Sequence, residues 1–130
     1  AHATLWTKSS FLLMALPTSV DSSVSEIWRS YIAQFFFHKT KTNLLFSSPY
    51  VLQNISTNLV GDSDIDMHRK VYKLVNFLHT FYSQLKVTLI TLYKELYNRG
   101  FVELGDINFI EVWIKIYLKA YNVCDSNTNI

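Results

Sequence analysis

The chain has 130 residues, 49% of them hydrophobic and 15% aromatic. That length favours one domain, and that composition excludes disorder over most of it. Net charge is +2, with no block of like charge, so a nucleic-acid footprint is not indicated. The single cysteine, Cys124, offers neither a disulfide framework nor a zinc cluster.

Taken in chain order, residues 4–7 lean towards a strand end. Ser9 or Ser10 can cap a short helix over 11–15, which Pro17 stops. The apolar run FLLMALP at 11–17 falls far short of the roughly 20 residues that cross a bilayer. It also lacks the flanks of a signal peptide. Residues 18–23 form a polar loop, and a helix is expected over 24–37. Ser23 and Glu26 match the S-x-x-E capping box at its start.

NLLFS at 43–47 reads as a short buried strand, interrupted by Pro49 and resumed at 50–52 on a sheet edge. Residues 53–66 are polar and read as an exposed loop. Beyond them three apolar stripes run with a period near 3.6. They are Val71, Leu74, Leu78, Phe81, then Leu85, Leu89, Leu92, Leu96, then Ile107, Ile110, Ile114, Tyr117, Tyr121. These predict helices over 67–82, 84–98 and 107–121, with a break near Ser83. Gly100 suits the left-handed residue that closes a helix, and Asp106 suits an N-cap. The tail 124–130 is polar and expected to fray.

Candidate chemistry concentrates in VSEIWRSYIAQ at 24–34. Glu26 reads either as the carboxylate of the capping box or as a catalytic base facing a cleft. Trp28 and Tyr31, three apart, read either as core or as a stacking platform. Arg29 reads as a solvated or ion-paired cation, or as a phosphate ligand. His2, His38, His68 and His79 share no metal-ligand spacing, so no metal site is assigned. Asn54-Ile55-Ser56 is an N-glycosylation sequon, usable only in a secretory lumen. There is no glycine-rich phosphate loop and no nucleophile elbow.

Three blocks resemble the STELLO-like glycosyltransferases. TLWTKSSFLLMALPTSV resembles that family's N-T-L-W block leading into L-P-x-x-V. VSEIWRSYIAQ resembles its V-S-D-I-W-R-S-Y signature. The helical tail with KLVNFL and LYKELYNRGFVELGDINFIEVWI resembles the third block. The resemblance implies a mainly α chain with a few short strands, the acceptor-side C-terminal part of a GT-A-like α/β glycosyltransferase domain. Residues 1–62 would form the acceptor side and 63–123 a three-helix region.

By the same resemblance, Glu26 stands at the family's Asp position and would be catalytic. Trp28, Arg29 and Tyr31 would bind substrate. The nucleotide-sugar donor, and any divalent metal, would belong to an N-terminal half upstream of Ala1, the chain itself being a fragment or processed product. That half would be the main partner. Its docking predicts an exposed apolar surface around residues 11–16 and 35–37. The expected location is the Golgi or another secretory lumen, with protein partners there and any membrane anchor outside the chain. The family usually continues after the PYVLQN-like strand with an Arg and a His, whereas here Ile55, Ser56 and Thr57 follow Asn54. A non-catalytic helical interaction module related to the family is therefore the alternative.

Overall fold

The structure, a computed structural model, describes residues 4–48, 62–84 and 86–121. It is mainly α. A short 3₁₀ helix, Lys8–Met14, leads into α1, Ser22–Thr40. Then follow α2, Asp62–Phe81, α3, Leu89–Asn98, and α4, Leu104–Tyr121. Helix α1 packs on α2 and α3 on α4, while the 3₁₀ helix bridges α1 and α4.

The apolar stripes become the core. Leu74, Leu78 and Phe81 of α2, Leu89, Leu92 and Leu96 of α3, and Ile110 of α4 are all buried in one cluster. Trp28, Ile32, Ala33, Phe35 and Phe36 of α1 join them, with Leu12 and Leu13 of the 3₁₀ helix. Phe101, just past α3, stands edge-on to Trp28 with centroids 5.6 Å apart and lies 5.8 Å from Phe77. One ring thus ties the α3–α4 connection to both α1 and α2.

The helix ends follow from local chemistry. Gly100 has φ +72. The Gly100 amide donates to the Tyr97 carbonyl and that of Phe101 to Leu96, the paired bonds of a Schellman cap. Helix α3 starts at Leu89, not at 84. Thr88 caps it, its hydroxyl accepting from the Thr91 amide while Thr91 Oγ1 accepts from the Thr88 amide at 2.8 Å. This box uses Thr where Glu or Gln is usual, which is why a search for S-x-x-E overlooks it.

Several expectations need correction. Residues 4–7 and 43–47 form no strand, and none occurs among the described residues. Leu45 and Phe46 are each 90% exposed, so 43–47 is not buried either. Strand-forming side chains need a neighbouring strand to pair with, and no described segment supplies one. The edge strand at 50–52, the loop at 53–61 and Asn54 lie outside the described residues. Residues 62–66 are helical rather than loop.

Helix α1 opens at Ser22, which puts position 23 inside the first turn instead of ahead of it. The first helix is 3₁₀ and starts at Lys8, with Thr7 as its N-cap residue. The expected apolar docking surface is also absent where it was placed. Leu12, Leu13, Ala15, Phe35 and Phe36 are buried in the core.

Candidate functional site

The four residues expected to act together on α1 do not share a surface. Positions two apart on a helix point away from each other. Glu26 is exposed, whereas Trp28 is only 2% exposed. Trp28 is therefore core and presents no stacking face. Its indole N–H is buried without a hydrogen-bond partner among the described residues. Arg29 is half-buried, with its guanidinium 5.6 Å from the centre of the Trp6 ring. Tyr31 is half-buried and packs against the core. Of the four, Glu26 alone stands open to solvent.

The most organised polar arrangement lies next to α1, at the turn after the 3₁₀ helix. Asp106 is fully buried in the first turn of α4. One carboxylate oxygen accepts from the Thr18 amide at 2.6 Å and from the Thr18 hydroxyl at 2.8 Å. The other accepts a short hydrogen bond from the Ser19 hydroxyl. Ser19 Oγ in turn accepts from the Glu103 amide at 3.1 Å, so it caps the start of α4 from another segment. Ser25 Oγ of α1 donates to the Pro17 carbonyl at 2.6 Å. The Trp113 indole donates to the Leu12 carbonyl at 2.9 Å. Asp106 is therefore no ordinary N-cap. Its position as the third residue of α4 frees its carboxylate to hold a segment some 88 residues earlier.

Burial alone would raise the Asp106 pKa. The hydrogen bonds from Ser19 and from the Thr18 amide and hydroxyl outweigh it and hold the carboxyl below its usual range. The N-terminal end of the α4 dipole favours the same charged form. Burial, and then the charge on Asp106, push the Tyr93 phenol well above its ordinary value. Asp106 is thus an ionised group spent on holding the fold, with both oxygens occupied.

An open groove of about 360 Å³ lies at the other end of α1, lined by Gln34, Phe37, His38, Lys41, Thr42 and Asn43, with Leu44 at its edge. It sits roughly 12–22 Å along the helix axis from Glu26, at 1.5 Å per residue. Sequence reasoning overlooked it, because its residues follow no motif. Lys41 and Asn43 lie beyond the helix end, in the polar stretch that precedes NLLFS.

Among the described residues, no three His, Cys, Asp or Glu side chains group to hold a metal ion. No described helix is long and apolar enough to cross a membrane. The chain matches no family model, no curated protein and no solved structure.

Proposed function

We propose that the chain supplies the acceptor side of a STELLO-like glycosyltransferase domain with GT-A-like architecture, working in a secretory lumen. The observation that carries this reading is the convergence of the three resembling blocks on one polar cluster. Pro17, Thr18 and Ser19 come from the first block, Ser25 from the second and Glu103 and Asp106 from the third. Blocks that meet through a connected set of hydrogen bonds around the buried Asp106 carboxylate behave as one unit, which supports reading their joint resemblance as more than three separate coincidences.

In this proposal Glu26 is the acting residue. A nucleotide-sugar donor would be bound by the N-terminal half of the domain. The acceptor hydroxyl oxygen bonds to the anomeric carbon of the sugar as the nucleoside diphosphate leaves. The hydroxyl proton passes to a Glu26 carboxylate oxygen. Trp28 contributes as buried core that fixes α1, and of the other two only Arg29, three positions from Glu26, shares its side of the helix.

The test is glycosyl transfer by the longer polypeptide that the proposal implies, with Glu26→Gln as the variant. The amide keeps the shape but takes no proton, so transfer should fall on the order of 100-fold or more while the melting temperature holds. Equal transfer by both proteins would return Glu26 to a structural role.

A second reading is favoured by specific observations. Trp28 is buried, Arg29 lies against Trp6, and Leu45 and Phe46 are almost fully exposed. These suit a non-catalytic helical interaction module, and the absence of any transfer by the longer wild-type polypeptide would leave that reading ahead.

A further inference from the structure

Helix α4 carries two apolar faces. Ile107, Ile110, Ile114 and Tyr117 turn towards the core. Phe109, Val112, Trp113 and Ile116 recur at i, i+3, i+4 and i+7 and line a second stripe. Val112 is 52% exposed and Ile116 56%. Among the described elements, α4 packs on α3 and on the 3₁₀ helix alone, and both leave these two side chains open. The rings of Phe109 and Trp113 stack with centroids 6.4 Å apart. The Trp113 indole is tied to the Leu12 carbonyl at 2.9 Å. The patch is therefore fixed before any partner arrives, which lowers the cost of docking.

Gly105 belongs to the same stripe, one turn before Phe109 and inside α4. Glycine weakens a helix relative to alanine. Gly105 does not have a left-handed φ, and a Cβ there would meet nothing within 4 Å. Neither its backbone nor its described neighbours require glycine. At the other end of the stripe stands Ala120, also small and exposed. Small residues at both ends let the backbone of a second helix come close.

The charges beside the stripe choose the partner. Asn108, Glu111, Lys115 and Lys119 run along one edge of it, all exposed. The acid precedes the two bases along the helix. A second copy of α4, laid antiparallel across a two-fold axis, brings Glu111 of each copy beside Lys115 of the other. The same register sets Phe109 opposite Ile116, Val112 beside Trp113 and Gly105 opposite Ala120. A parallel pairing would instead set Lys115 against Lys115. We propose that the outer face of α4 docks on the same face of a second copy of this chain, as an antiparallel helix pair. Each copy contributes one helix about 27 Å long. Interfaces below about 1,200 Å² in total are weak and transient, so this dimer forms and dissociates with concentration. A membrane surface fits less well, because amphipathic helices that lie on anionic lipid carry clusters of Lys and Arg on the polar face. The inference rests on neither reading of Glu26.

The test is sedimentation velocity on the 130-residue chain from about 5 µM to about 1 mM. The sedimentation coefficient should rise from that of a monomer towards that of a dimer and no further. Ile116→Glu should weaken the dimer at least about tenfold. Its melting temperature at the dilute end should hold, because the side chain it replaces is exposed. Glu111→Lys should weaken the dimer severalfold, and adding Lys115→Glu should restore it to within about twofold. That rescue reads the antiparallel register and does not depend on the Ile116 variant. A monomer throughout, species larger than a dimer, association that Ile116→Glu leaves unchanged, or no rescue by the charge swap would each overturn the inference. So would a chain that stays monomeric in solution and binds phosphatidylserine vesicles through the Ile116 face. None of these readouts needs glycosyl transfer, so failure of the Glu26 test leaves the dimer standing, and the reverse also holds.

Discussion

Replacing Asp106 with Ala removes three hydrogen bonds at once and strands the Ser19 hydroxyl beside a cavity. The expected loss is about 3 kcal/mol, read as a lower urea midpoint. The pH dependence follows from the same bonds. The folded-state pKa of Asp106 lies below its unfolded value. The stabilisation is therefore complete above the unfolded pKa and is lost as pH falls through the folded one. Stability measured from about pH 5 down to about pH 2 should fall more steeply in the wild type than in Asp106→Asn, which has no such proton to take up. Trp28 makes a complementary case. Trp28→Ala should cost about 3–5 kcal/mol. Trp28→Phe should cost much less, because it also removes a buried N–H that has no partner among the described residues. Neither role was legible from residue type. An Asp at a helix start reads as a cap, and its true partners lie far away in the chain. The i,i+3 spacing of Trp28 and Tyr31 does not say which side of α1 the core will claim.

At the scale of elements, the apolar periodicity carried most of the information. Leu74, Leu78, Leu89, Leu92, Leu96 and Ile110 were expected inside and are buried. Gly100 was equally legible, since a left-handed cap leaves few other choices. A Cβ at Gly100 would meet nothing within 4 Å, so the cost of Gly100→Ala is all backbone. It should come to about 1 kcal/mol, measured as a shift in urea midpoint with unchanged slope. Thr88→Ala should cost a similar amount, about 1 kcal/mol, by uncapping α3. What misled was composition without context. NLLFS has strand-forming residues, but strand propensity reflects packing against neighbours, and this segment has none among the described residues. The polar composition of residues 62–66 reads as loop, yet they are the opening turns of α2.

For the whole molecule, the described segments share one core cluster, so they should unfold together. Leu92→Ala, at a fully buried position, should cost about 2–5 kcal/mol. Far-ultraviolet circular dichroism and tryptophan fluorescence should still report one coincident transition. Separate transitions would mean that α1–α2 and α3–α4 are independent units. The polar cluster is what joins the 3₁₀ helix and its turn to α4, and with them the three blocks on which the functional reading rests. Thr18 is itself exposed, so only its bond to Asp106 can shield its amide from solvent. Hydrogen exchange at that amide is therefore the most direct measurement. Strong protection in the wild type, lost in Asp106→Ala while α3 core amides such as Leu92 stay protected, is the expected result. Exchange as fast as in an open loop, unchanged by the substitution, would contradict the account.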